Sequence, residues 1–389
     1  MKSRNLARLG LLACGILLAS AALDGRSQAA DGPTVHTKSF SAAPHAGTRS
    51  DPWPGSAITR AINSLPQSGG TVIVDDGIWL FDSNQVVRRG NFVLQGSSLN
   101  AELLITTGSL EIGPVGDAGP AISGVTLSTL TVDQSSAPVT SATEGVQLWA
   151  CNGCELSDSV LYGHANNSVP VFITFGGQDG RILRNTFTSR KAGGAQLQLN
   201  PLYNTSNSGF LIANNNLDSV NILLIGQNNI HVTQNIMTNR TLATFIGILF
   251  TSTTAPTSGL LFDYNTVDAT TDPGQGAAIS GLPQDPGQAG QISNITIDHN
   301  TLSAAPVIAA TDYYPEGVAQ SPDESQTYNI RITNNSLTSS WGSIIDVSGG
   351  DSGLVNGAIV DGNVFSPAPN NAITQDNHSY NVSIGNNSL

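Results

Sequence analysis

The stretch Asn329-Ile330-Arg331-Ile332-Thr333-Asn334-Asn335-Ser336-Leu337 decides the reading of this chain, because it recurs. GRILRNTF from 180, GFLIANNNL from 209, NIHVTQNIM from 229, GLLFDYNTV from 259, NITIDHNTL from 294, GAIVDGNVF from 357 and NVSIGNNSL from 381 share its pattern. Each has an apolar residue, two variable residues, an Asn, one variable residue and a second apolar residue. The shared asparagines are Asn185, Asn215, Asn235, Asn265, Asn300, Asn335, Asn363 and Asn387, spaced by 30, 20, 30, 35, 35, 28 and 24 residues. Irregular spacing excludes a coiled coil or a rigid helical array. It suits a parallel β-helix, whose turns take insertions while its strands keep register. Parallel strands one coil apart lie about 4.8 Å from each other. An inward-turned Asn can then pass its amide hydrogen bonds to the Asn of the next coil and to turn carbonyls. Ser159 and Leu130 hold the equivalent place in the two earliest coils, so the ladder is expected to start at Asn185.

A further strand follows in each coil, at Val146–Leu148, Val171–Phe175, Gln196–Leu199, Ile222–Ile225, Ile246–Phe250, Ala277–Ile279, Val307–Ala309 and Ile344–Val347. Alternation places one aliphatic set inside, and stacked coils bury a column that no single coil could bury alone. The open N-terminal edge needs a cover. SAITRAINSL, 56–65, supplies a helix with Ile58, Ala61, Ile62 and Leu65 on one face, ended by Pro66. Strands are expected to follow at Thr71–Val74 and Gly77–Phe81.

Residues 1–29 read as an export signal, with Lys2, Arg4 and Arg8 before an apolar run from Leu9 to Leu23. The run is too short and too early for a membrane span. Leu11-Leu12-Ala13-Cys14 loosely resembles a lipobox, but Arg8 lies so close to Cys14 that simple export is favoured. A secreted or periplasmic protein is expected, with residues 30–50 an N-terminal extension and 51–389 one β-helix domain. Residues 30–389 carry 11 basic and 27 acidic side chains, a net charge of −16. That field repels nucleic acid and anionic membranes, so neither is an expected partner. It also means that a site for an acidic polysaccharide must be a local basic patch. Cys151 and Cys154 flank the turn Asn152-Gly153. Buried or bridged turn cysteines are the favoured reading, ahead of a redox or zinc motif that lacks its βαβ setting or its further ligands.

The run AITRAINSLPQSGGTVIVDDGIWLF from 57, followed by NFVLQGSS from 91, resembles the opening of the pectate-lyase-like superfamily. The likeness extends from about residue 51 to the end. It implies an all-β fold, a single-stranded right-handed parallel β-helix with an N-terminal capping helix. It also implies carbohydrate chemistry, since the group holds polysaccharide lyases, polygalacturonase-type hydrolases, alginate epimerases and phage tailspikes. The DPHD signature of mannuronan epimerases is missing, and so is the NTD, DD, GHG and RIK set of polygalacturonases. Tyr162-Gly163-His164-Ala165 only echoes the third of these.

Counting from the ladder shows which residues stack. Three positions past each rung stand Asp133, Tyr162, Thr188, Asp218, Thr238 and Asp268. Five past stand Ser135, His164, Arg190, Val220, Arg240 and Thr270. Lys191 follows Arg190, and Arg184 lies in the same coil, which makes this the densest basic cluster of an acidic chain. Such a cluster suits β-elimination on a uronic acid, which needs a cation on the carboxylate, a base and an acid. Lys191 or His164 would be the base, Tyr162 the acid, and Arg190 or Arg240 the clamp, with Arg184 and Glu144 binding substrate. Asp133 and Asp218 are candidates for Ca²⁺. Solvated turn residues that happen to stack are an equally weighted reading.

Two alternatives stay open. A glycoside hydrolase would draw paired carboxylates from Asp133, Glu144, Glu155 and Asp158. A non-catalytic glycan-binding or surface β-helix would need only aromatics and amides along one face. Asp263, Asp298 and Asp361, with Thr333 between the last two, form a second acidic column, read as carboxylates accepting turn amides. Segments 268–293 and 303–328, the latter with Tyr313, Tyr314 and Glu316, could wall a groove. Trp149 and Trp341 are further stacking candidates. The expected partner is a polysaccharide or oligosaccharide, and a homotrimer is left open.

Overall fold

The computed structural model describes residues 32–41, 44–116, 119–138, 140, 144–164, 169–189, 195–202, 205–239, 246–252, 255–268, 277–281, 290–303, 307–309, 325–338, 343–347, 353–366 and 371–388. Among them the chain winds as a right-handed parallel β-helix of three long sheets, holding 14, 12 and 11 strands. The leader expected at 1–29 lies outside the described residues. None of the described helices is long and apolar enough to cross a membrane.

One coil shows the plan. Arg181–Leu183 belongs to the first sheet, Thr186–Ser189 to the second and Ala195–Asn200 to the third, and Leu211–Ala213 then begins the next coil on the first sheet. Each strand pairs in parallel with its counterpart one coil away, as Ile182 does with Leu156 and Ile212. Side chains alternate in and out. Leu156, Ile182, Ile212, Val232, Phe262 and Ile297 stack inward from the first sheet, and Leu161, Phe187, Leu217, Met237, Val267 and Leu302 from the second. All are essentially fully buried. Burial of each contributes about 1.5–3 kcal/mol.

The turn from first to second sheet is built on asparagine. Asn215 Nδ2 donates back to the Ile182 carbonyl of the previous coil at 2.9 Å and forward to Asn235 Oδ1 at 2.9 Å. Its backbone N–H donates to the same Oδ1 at 3.0 Å. One side chain therefore ties three successive coils. The pattern repeats at Asn185, Asn235, Asn265, Asn300, Asn335 and Asn363, and closes on Asn387. Ser159 already serves as a short rung: its N–H donates to Asn185 Oδ1, and its Oγ accepts from the Leu130 N–H. The ladder thus begins one coil earlier than expected, with a hydroxyl in place of the amide.

The residue before each rung from Ser159 to Asn363 adopts a left-handed conformation, including Arg184, Gln234, Tyr264 and His299 at φ of 53–56°. That conformation costs a non-glycine residue roughly 1–2 kcal/mol. The rung hydrogen bonds offset it.

Helix α1, Ser56–Ser64, covers the N-terminal end with Ala57, Ile58, Ala61 and Ile62 buried beneath it. Arg89 closes its C-terminus by donating to the Leu65 and Pro66 carbonyls, groups the helix itself leaves unpaired. Part of the 30–50 segment, expected as an extension, is drawn into the solenoid. Thr34–His36 pairs with Thr71–Ile73 and satisfies the edge of the first sheet. Cys151 and Cys154 form a disulfide, both sulfurs buried, directly after the third-sheet strand Val146–Trp149.

The ladder makes a sharp prediction. Asn265→Ala removes an acceptor used twice and strands buried N–H donors, so it should lower unfolding free energy by about 3 kcal/mol. Asn265→Asp should not rescue it, because the lost Nδ2 donors matter as much as the acceptor. Urea denaturation of both variants checks this.

Candidate functional site

From Thr129-Leu130 to Gly362-Asn363 the turn between first and second sheets stays at two residues, such as Asp158-Ser159 or His299-Asn300. The other connections vary. From second to third sheet they run from Ser219 alone to residues 134–145. From third sheet to first they run from 88–91 to 310–324. Variable segments therefore border both edges of the third sheet, and its outward face is the one shaped by them.

That face differs in chemistry from the other two. The outward residues of the first sheet include His231, Asp263, Asp298, Arg331 and Thr333, and those of the second Thr188, Asp218, Thr238 and Asp268. On the third sheet one outward column runs Glu111, Gln147, Ile173, Gln198, Leu223, Leu249. A second runs Trp149, Phe175, Asn200 and on to Ile225 and Thr251.

Local hydrogen bonds hold this face. Glu111 is only 5% exposed, and its Oε1 accepts from Asn84 Nδ2 and Ser109 Oγ, both at 2.7 Å. Gln147, one coil on, donates through Nε2 to Glu144 Oε2 at 3.3 Å and accepts from Trp149 Nε1 at 3.1 Å. The indole is thus held at its polar edge. Its ring stacks on Phe175, centroids 4.1 Å apart and planes at 22°. On the other side, Gly113 supplies no side chain beneath Trp149, and the exposed Arg88 stands one coil further. Gln198 Nε2 donates to Asn200 Oδ1 at 2.7 Å. Glu111 and Arg88 were not picked from the sequence. They lie before the asparagine ladder, and the alternation Leu110-Glu111-Ile112 was their only signal.

The ladder count gave the right neighbours for the column three positions past each rung. Asp133, Tyr162, Thr188, Asp218, Thr238 and Asp268 do form one outward column of the second sheet. Tyr162 is half-buried there. Asp133 is 1% exposed and engaged: Arg49 Nη2 donates to it at 2.7 Å and to Glu102 at 2.7 Å, while Ser135 donates its N–H and hydroxyl. The Asp133 hydrogen bond, opposed by burial, raises the Arg49 pKa above its ordinary value. His164 is 0% exposed, its Nε2 lying 2.8 Å from the Pro138 carbonyl oxygen, so the ring faces protein rather than a ligand. Arg184 forms a two-pronged pair with Asp158, at 2.7 and 2.8 Å, on the ladder turn and away from the third sheet. Arg190, Lys191 and Arg240 lie outside the described residues, as do Tyr313, Tyr314, Glu316 and Trp341.

The Ca²⁺ pairing does not assemble. Two strands, carrying Tyr162 and Thr188, separate Asp133 from Asp218. Three coil steps of about 4.8 Å put them roughly 14 Å apart, whereas Ca²⁺ ligands sit about 2.3–2.6 Å from the ion. Among the described residues no three His, Cys, Asp or Glu side chains are grouped to hold a metal. The carboxylate set Asp133, Glu144, Glu155 and Asp158 is also split. Asp133 is on the second sheet, Glu155 on the first and Asp158 in the ladder turn, so Glu144 alone reaches the third-sheet face.

The acidic column on the first sheet is real, with Asp263 beside Asp298, then Thr333 and Asp361. Its carboxylates are satisfied: His231 meets Asp263 at 2.8 Å, His299 meets Asp298 at 2.6 Å, and the Asn386 N–H donates to Asp361. Burial alone would raise the Asp298 pKa. Hydrogen bonds from Thr333, His299 and Asn334 outweigh it and leave the carboxyl below its ordinary value.

Known structures confirm the architecture. The surface adhesin PfbA of Streptococcus pneumoniae superposes with a TM-score of 0.63 at 13% identity, over 92% of this chain and 97% of that one. A hyperthermoactive exopolygalacturonase from Thermotoga maritima gives 0.62 at 13% identity, over 92% and 93%. The tailspike of Escherichia coli bacteriophage HK620, in complex with a pentasaccharide, gives 0.56 at 14% identity, over 89% and 68%. The chain has the pectate-lyase-like right-handed parallel β-helix fold. No sequence family and no curated protein sequence matches it. A hydrolase, an adhesin and a tailspike share these coils, so the fold leaves the activity open.

The Arg49 bridge yields a stability prediction. Arg49→Met leaves the Asp133 carboxylate buried without its cation and should cost about 2–3 kcal/mol of stability. Arg49→Lys should recover part of it. Thermal melts of both variants beside the parent protein check this.

Proposed function

We propose that this protein is an exported carbohydrate-active β-helix that lays a polysaccharide along the outward face of the third sheet and cleaves it there. The carrying observation is the contrast between faces: this one alone joins stacked aromatics, amides and carboxylates between two borders of variable length. Sugar rings stack on aromatic faces and hydrogen-bond to amides and carboxylates, so such a strip suits them. The Trp149 face turned away from Phe175 looks over Gly113 toward Arg88, which offers a ring-stacking position beside a cation.

Cleavage by paired carboxylates fits the described geometry best. Glu111 and Glu144 flank Gln147, Glu111 one coil before it and Glu144 hydrogen-bonded to it. Hydrolysis needs one carboxyl to protonate the leaving oxygen and another to assist attack, about 5–9.5 Å apart. Adjacent coils supply separations on that scale. Gln147 acts as a positioning residue, joining Glu144 to the Trp149 indole. β-Elimination on a uronic acid, the reading favoured by the basic cluster, is the second possibility. It rests on Arg190 and Lys191, which lie outside the described residues, and on Tyr162, whose strand pairs with Thr186–Ser189. Export, expected from the leader, places the protein where extracellular glycans are met.

Incubation with a polysaccharide panel separates the readings. Hydrolysis yields new reducing ends without the ultraviolet absorbance of unsaturated uronates. Glu111→Gln and Glu144→Gln should each then lower turnover by about 100-fold or more. Unsaturated products that survive both substitutions favour elimination. Binding without any product rejects catalysis and leaves a glycan-binding protein.

A further inference from the structure

The outward columns of the third sheet alternate in an unusual way. Along one, Gln147 is followed by Ile173, Gln198, Leu223 and Leu249; along the other, Asn200 is followed by Ile225. Leu223, Ile225 and Leu249 are half-buried and adjoin one another on the outside of the solenoid, whereas outward aliphatics of the other two sheets, such as Leu211, Ile236 and Leu261, stand between polar neighbours. A fully hydroxylated sugar gains little from these aliphatics, and a hydroxyl pressed on Leu without a partner loses its water hydrogen bonds. The strip is two columns wide and runs along the axis between the two sets of connections. A chain-like ligand fits such a strip, whereas a flat protein face would bury a broader patch.

We infer that the polysaccharide bound on this face carries methyl-bearing substituents, acetyl groups or 6-deoxy carbons, that seat on Leu223, Ile225 and Leu249. Gln198 stands beside Leu223 and Asn200 one coil from Ile225, so an acetyl group seated there meets both an apolar contact and a hydrogen-bonding one. Polyuronates fit poorly. In the described part of these columns and their borders the arginines are Arg88 and Arg89, and Arg89 is spent on the Leu65 and Pro66 carbonyls; Glu111 and Glu144 stand against them, and the net charge of the chain repels polyanions. This inference rests on the third-sheet face being the glycan site.

The test uses a glycan array of matched pairs: acetylated against deacetylated, and 6-deoxy against 6-hydroxy, with polygalacturonate included. The full chain should prefer the methyl-bearing member by about fourfold for each methyl buried. Leu223→Ser and Ile225→Thr, both at outward positions and checked by thermal melts, should erase that preference and keep binding to the unsubstituted member. Equal binding to both members, or preference for polygalacturonate, while Trp149→Ala still abolishes binding, overturns the substituent inference and leaves the face in place. No binding to any glycan, or binding untouched by Trp149→Ala, overturns both.

Discussion

Each buried asparagine amide binds one coil back and one coil forward at once, and the rest of the solenoid depends on that bond. The Asn235 side chain reaches Ile212 O behind it and Asn265 Oδ1 ahead of it. Such an amide has no slack. A longer turn would carry it out of reach of one partner and leave buried donors unpaired, at about 1–3 kcal/mol each. The turn therefore stays at two residues from Thr129-Leu130 to Gly362-Asn363. It holds there even at the cost of left-handed backbone at Tyr264 and His299. Insertions fall on the other two corners, and both of those border the third sheet. A constraint on stability in this way decides where function has room to develop.

The same constraint explains the division of labour among faces. Where the turn is fixed, outward side chains meet only their coil neighbours and settle into local pairs, such as Arg184 with Asp158 or His299 stacked on Tyr264. Between variable connections, the third sheet carries the apolar, aromatic and amide strip. The disulfide Cys151–Cys154 closes the connection that follows Trp149, next to the parallel bridge from Cys151-Asn152 to Ile122-Ser123. It steadies the corner nearest the proposed cleavage centre.

Much of the fold was legible in the sequence. The ladder spacing gave the coil plan and the column from Asp133 through Tyr162 to Asp218, because a strict rung fixes register on both sides of it, and the apolar face of 56–65 gave the helix Ser56–Ser64. Register states which residues are neighbours and is silent on what covers them. His164 stacks in the expected coil but is closed over by the Pro138 carbonyl. Asp133 is claimed by Arg49, 84 positions earlier, in a segment that carries no repeat. Glu111 and Arg88 escaped because their coils precede the first asparagine, so no ruler reached them.

The basic cluster and the third-sheet strip make different demands on a bound glycan. The cluster, whose Arg190, Lys191 and Arg240 lie outside the described residues, would select carboxylates through its cations. The other spans the face and selects ring faces, hydroxyls and methyl groups. Hydrogen–deuterium exchange, with and without a bound oligosaccharide from the panel, distinguishes them most directly. Protection should concentrate in 144–149, 171–175, 197–200 and 220–225, the third-sheet strands and their borders. Protection confined to the first or second sheet, with these segments unchanged, would contradict the assignment of this face.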